Sequence, residues 1–149
     1  MGILGHIGAF AASAAVTYTL SAIFYTQQVL AKQFAIGAVY SLEQQASAYV
    51  QNFIGLAPAF GVVLAIALLL GFIVSAIVKR IIRPLAPIAY PVAGAAAVFT
   101  AIWLIDNTLG KGGAGAIGGA RDALGLGLQC LAGFAGGVVF SLLRPRIRR

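Results

Sequence analysis

Four uninterrupted apolar runs, each about as long as a bilayer core is thick, constrain this chain more than any other feature. They cover residues 3–25, 56–78, 85–105 and 123–143, and none contains an internal Asp, Glu, Lys or Arg. A helix needs roughly 20 predominantly apolar residues to cross the hydrocarbon core. Composition points the same way. Of the 149 residues, 61% are hydrophobic and 9% charged, whereas soluble domains sit near about 45–50% and about 25%. A water-soluble domain of this size would lack polar side chains to cover its surface. The expected fold is all-α: a single polytopic domain over residues 1–149, with four transmembrane helices in a bundle.

Local chemistry marks the ends of these runs. Pro58 suits the first turn of the second span, where its missing N–H costs little. Lys79 and Arg80 close that span with cations suited to a helix C-terminus. Pro84, Pro87 and Pro91 crowd the start of the third span, and a kink is expected at Pro91. Trp103 falls near the other end, where an indole suits the interface. Pro145 stops the fourth helix. The first run is read as a span and not as a cleaved signal peptide. No Lys or Arg precedes it, and it continues past the small residues Ala12, Ser13 and Ala14 to Phe24.

The formal charge is +7, with seven of the ten cations in two clusters, Lys79, Arg80 and Arg83, and Arg144, Arg146, Arg148 and Arg149. Both clusters directly follow an apolar run. That placement fits membrane topology and anionic lipid head groups better than nucleic acid. Residues 26–55 hold Lys32 against Glu43, and residues 106–122 hold Lys111 and Arg121 against Asp106 and Asp122, so both connections are neutral. By the positive-inside rule the two basic segments stay in the cytoplasm. The expectation is a multi-pass protein of a bacterial inner (plasma) membrane, with both termini cytoplasmic and the neutral segments outside.

Residues 38–54 are too polar to span but carry a helical period. Val39, Leu42, Ala46, Tyr49, Val50 and Phe53 recur on one side, and Ser41, Gln44, Gln45, Gln51 and Asn52 on the other. The pattern predicts an amphipathic outer helix between the first and second spans, preceded by a break at Gly37.

Small residues recur at four-residue spacing: Gly115 with Gly119, Gly133 with Gly137, and Ala132 with Gly136. Similar spacing links Gly5, Ala9, Gly8, Ala12, Ala11 and Ala15, and Ala67, Gly71 and Ser75. In lipid, helices associate by close packing, which small residues permit. These faces are candidates for packing within one chain or between chains.

Candidate chemistry is sparse. His6 is the one histidine, so a haem held between two histidines of one chain is excluded. A tetrahedral metal site lacks ligands, since Cys130 and His6 have no soft companions. Asp106 and Asp122 flank the outer loop as candidate cation collectors, with Asp122 placed to cap the fourth helix. The glycine-rich stretch 112–119 lacks the G-x-x-x-x-G-K-[ST] pattern of a phosphate loop. Ser, Thr and Cys have no base partner beyond His6, so no triad is expected. No cofactor is implied. The leading expectation is a non-enzymatic subunit that packs through small-residue faces into a homo-oligomer or a larger membrane complex. A channel or transporter lined by Thr17, Thr19, Ser21, Ser75, Thr100 and Gln129 is the second, and a cofactor-binding subunit using His6 the third.

Overall fold

The computed structural model describes residues 2–82, 84, 86–108 and 122–144. Among them the regular elements are all helical: α1 (Gly2–Ala35), α2 (Leu42–Leu56), a π-helical turn (Ala57–Gly61), α3 (Val62–Ile81), α4 (Ala89–Thr108) and α5 (Ala123–Leu143). Four helical rods are long and apolar enough to cross a membrane: Ile3–Ala35, Leu42–Ile81, Ala89–Thr108 and Ala123–Leu143.

The element boundaries depart from the sequence reading in three places. First, α1 continues ten residues past Tyr25, to Ala35. Thr26, Gln27, Gln28 and Lys32 end the apolar run but not the helix, since Gln and Lys are good helix formers. The helix stops where Gly37 adopts φ +89°. There the Ala38 N–H donates to the Gln33 carbonyl and the Gly37 N–H to the Phe34 carbonyl, both at 3.0 Å. These two bonds are the Schellman pair, and glycine takes the left-handed position without a Cβ penalty.

Second, the helix after this turn starts at Leu42 and does not end before the second span. Ser41 caps it: its hydroxyl accepts from the Gln44 N–H, and the Gln44 side chain accepts from the Ser41 N–H. This S-x-x-Q capping box satisfies two otherwise orphaned donors. The helix then runs through Pro58 into α3 as one rod. Pro58 therefore sits at a joint and not at a helix start. The wider π turn at Ala57–Gly61 accommodates the missing N–H, as π turns do where a ladder is interrupted.

Third, α4 begins at Ala89 and not at residue 85. Pro91 falls in its first turn, where N–H groups have no intrahelical acceptor, so no ladder bond is lost to it.

In the bundle, α5 lies between α1 and α4, and α3 packs on the far side of α4. α1 and α3 barely touch. The α5 stripe that makes this possible is Gly125, Gln129, Ala132, Gly133, Gly136, Gly137 and Phe140, all buried. A side chain at Gly133 would strike the Gly94 carbonyl, and one at Gly94 would strike the Gly133 carbonyl. One at Gly137 would strike the Tyr90 backbone. The two backbones thus touch across this face, the arrangement that gives dense dispersion contacts in lipid. At one end of the bundle an aromatic core closes the packing. Phe72 stacks on Phe140 with centroids 4.5 Å apart, and Tyr90 meets both rings edge-on at 5.7 and 4.9 Å.

Candidate functional site

The most unusual chemistry sits where three helix ends meet. Lys79 lies in the last turn of α3, Tyr90 in the first turn of α4, and Arg144 just past α5. The proline-rich reversal between α3 and α4 returns the chain, so Tyr90 lands beside Lys79. Tyr90 is buried. Its phenol oxygen accepts from Lys79 Nζ at 2.7 Å and from Arg144 Nη1 at 3.1 Å. The same two cations lie 4.7 and 4.6 Å from the ring centroid.

Both hydrogen bonds end on one oxygen, so the two cations are at most about 6 Å apart and repel by about 3 kcal/mol at an effective dielectric near 20. The π face and the phenol oxygen offset part of this repulsion. So do the negative ends of the α3 and α5 dipoles. Arg144 Nε is buried and has no hydrogen-bond partner.

The cluster stands at one end of a groove that opens between α1 and α3. Its volume is about 840 Å³, within the range of ligand pockets. Ile7 and Phe10 of α1 face Leu69 and Ile73 of α3 across it, with Phe72 and Phe140 at its base. His6, Lys79, Arg80 and Arg144 line it as well. The three Asp and Glu side chains are elsewhere. Asp106 is 16 residues along α4 from Tyr90, about 24 Å, and Asp122 lies 22 residues from Arg144, about 33 Å. Glu43 stands in the first turn of α2, at the opposite end of the rod from Lys79.

A second polar feature runs between α1 and α5. Ser13, Thr17 and Ser21 recur every four residues along α1 and are buried, as is Gln129 on α5. Ser13 Oγ donates to the Gly136 carbonyl at 2.7 Å, and Gln129 Nε2 donates to the Ser21 carbonyl at 3.0 Å. Thr17 Oγ1, Ser21 Oγ and Gln129 Oε1 are buried without partners. Of the six polar residues expected along a pore, Thr17, Ser21 and Gln129 thus share one seam. Ser75 is buried on α3, and Thr19 and Thr100 are exposed.

Ala132, Gly133, Gly136 and Gly137 all lie buried on α5, the glycines against α4 or α1 of the same chain. A Cβ added at Gly71 would lie 3.1 Å from the Ala93 carbonyl of α4, so this glycine too lets two helices approach closely. Gly115, Gly119, Lys111, Arg83, Arg121, Arg146, Arg148 and Arg149 lie outside the described residues. Asp122 occupies the N-cap position of α5 with extended backbone, but its side chain closes no cap bond. It pairs instead with Lys32 at 3.4 Å, tying α1 to α5. Desolvation pushes its carboxyl up, but nearby backbone N–H groups and the Lys32 ammonium outweigh it and hold its pKa below the ordinary carboxylate value.

Sequence reasoning missed Tyr90. A tyrosine one residue before a proline in an apolar run carries no periodic signal; only the tight return from α3 to α4 made its pairing with Lys79 legible. The hydroxyl stripe was read only in part, through Thr17 and Ser21; Ser13 was missed, although its four-residue spacing from Thr17 was the signal that could have found it. No protein-family model matches the chain, and comparison with curated proteins and with solved structures finds no significant match.

Proposed function

We propose that this chain is a multi-pass integral membrane protein acting as a non-enzymatic interaction subunit. In this reading the four rods cross the bilayer, the Lys79 and Arg144 end and both termini face the cytoplasm, and α2 stands outside. The observation that carries it is α2. No residue of this helix is buried, and Leu42, Val50 and Ile54 stay exposed on it, with Val39 just before it. The rod Leu42–Ile81 has 40 residues, about 60 Å, against a hydrocarbon core of about 30 Å. The excess length holds this apolar face away from lipid, where a protein partner would cover it. The glycine faces of α5 are occupied within the chain, so assembly through α2 replaces assembly through those faces.

The test is the particle mass in mild detergent. An assembly larger than one chain is expected, falling to one chain when Leu42, Val50 and Ile54 are all replaced by serine. A wild-type chain that is already monomeric and partner-free would sink the reading. A second reading, conduction through the bundle, is favoured by the unpartnered oxygens of Thr17, Ser21 and Gln129 in the α1–α5 seam. Ion or proton flux in liposomes that is lost in Gln129→Leu would establish it over the first.

A further inference from the structure

The geometry points to a binding site for an anionic phospholipid in the groove between α1 and α3, with its phosphate at Lys79, Tyr90 and Arg144. The inference rests on membrane insertion but not on the identity of any protein partner.

Charge complementarity argues for the head group. Two cations converge on one phenol oxygen, Arg80 lines the same groove, and the Glu43, Asp106 and Asp122 side chains all stand at the far ends of their helices. A like-charged pair held this close is stabilised by an anion placed between its members. Phosphate oxygens accept from a guanidinium and an ammonium together. The buried Nε of Arg144 adds a donor that the protein leaves unused. Tyr90 acts here as a positioning residue, since its oxygen holds both cations at the groove.

Shape and lining argue for the tail. Leading away from the cations, the walls are Ile7, Phe10, Leu69 and Ile73, all apolar. The groove opens because α1 and α3 are kept apart by α4 and α5. An acyl chain lying against these residues would cover the gap, and the head group would then sit at the level of the Lys79 cluster. A free phosphate satisfies the cations but leaves the apolar walls uncovered. A zwitterionic lipid covers the walls but brings a cationic group of its own.

The experiment is native mass spectrometry of the detergent-purified full chain, titrated with phosphatidylglycerol, with phosphatidylcholine of the same acyl chains, and with inorganic phosphate. Phosphatidylglycerol is expected to bind roughly tenfold tighter than phosphatidylcholine, since each cation near a head group favours it severalfold. The preference should collapse in Lys79→Gln with Arg144→Gln. It should weaken in Tyr90→Phe, in which both cations remain but lose their shared acceptor. Ile73→Trp keeps the cations and fills the apolar wall, and should reduce lipid retention; Ile77→Trp, which does not line the groove, should not. These last two variants keep the test decisive where the charge variants fail to fold.

Equal binding of the two lipids, or a preference that survives loss of both cations, overturns the site. Phosphate binding as tightly as the lipid would make it a soluble-anion site and overturn the lipid assignment. Release of the chain from membranes by alkaline carbonate would instead overturn insertion itself, so the two failures are distinguishable.

Discussion

Gly133 and Gly127 stand on the same helix six residues apart, yet alanine should have opposite effects at the two. Nothing lies within 4 Å of a side chain built at Gly127, whereas one at Gly133 strikes the Gly94 carbonyl and the Val98 side chain. Alanine gains up to about 1 kcal/mol in helix propensity, and overpacking costs about 1–3 kcal/mol. Thermal unfolding in detergent should therefore show Gly127→Ala neutral or stabilised, and Gly133→Ala destabilised. At Gly136 the first obstacle is the Thr17 hydroxyl. Thr17→Ala should recover part of the loss caused by Gly136→Ala, and additive losses would show that the two side chains do not meet. Asp122 tests the α1–α5 tie by pH. Its pKa is lowered in the fold. Its contribution is thus fully present above the ordinary carboxylate pKa and lost as pH falls through the lower folded value. The effect is small, because both partners are near half exposed. The acid-side fall in melting temperature should shrink in Asp122→Asn, and an unchanged profile would remove the pair from the account.

At the scale of elements, the joint at Pro58 sets how α2 faces α1. Tyr18 donates to the Phe53 carbonyl, its ring meets Phe53 edge-on at 5.0 Å, and Asn52 Nδ2 donates to Thr26 Oγ1 at 3.2 Å. All these contacts lie just before the π turn. Restoring an N–H in Pro58→Ala lets the rod close a regular ladder, which rotates α2 by about 100° per residue drawn in. A disulfide between Thr26→Cys and Asn52→Cys, in a Cys130→Ala background, should form readily when Pro58 is kept and poorly when Pro58→Ala is added. Equal crosslinking in both would show that the α1 contacts, and not the proline, set the facing of α2. The helix types themselves were legible: apolar runs near 20 residues produced α4 and α5 within a few positions of the expected bounds. The fusion of α2 with α3 was not. Proline is read as a helix boundary because it breaks an α ladder, and a π turn that absorbs the break leaves no mark on the local sequence.

For the whole molecule, the distribution of charge is the basis of the proposed orientation. All described cations but Lys32 stand at the Lys79 end together with His6, and the carboxylates stand at the other. In the proposed topology the Lys79 end faces the cytoplasm, as the positive-inside rule expects. In the Cys130→Ala background, a cysteine at Ser47 should react with an impermeant reagent from outside in intact cells. One at Ile82 should react only after permeabilisation. The reverse pattern overturns the topology. Neutralising Lys79, Arg80 and Arg83 together should give a mixture of both orientations.

Length, apolarity and charge sign act through solvent and not through neighbours. For that reason the count of four membrane-length rods, the all-helical class and the segregation of basic residues were readable from the chain alone. The α5 face of Gly133 and Gly137 was readable as a close-packing surface, but not which helix would occupy it. That choice required α4 to present Gly94 at the matching height, a coincidence across 39 residues of chain. The meeting of Lys79, Tyr90 and Arg144 was likewise decided by the tertiary structure. Each residue is ordinary in its own helix, and the cationic groove exists because the reversal after α3 sets Lys79 beside Tyr90 and the packing of α5 against α4 brings Arg144, 54 residues further on, to the same point.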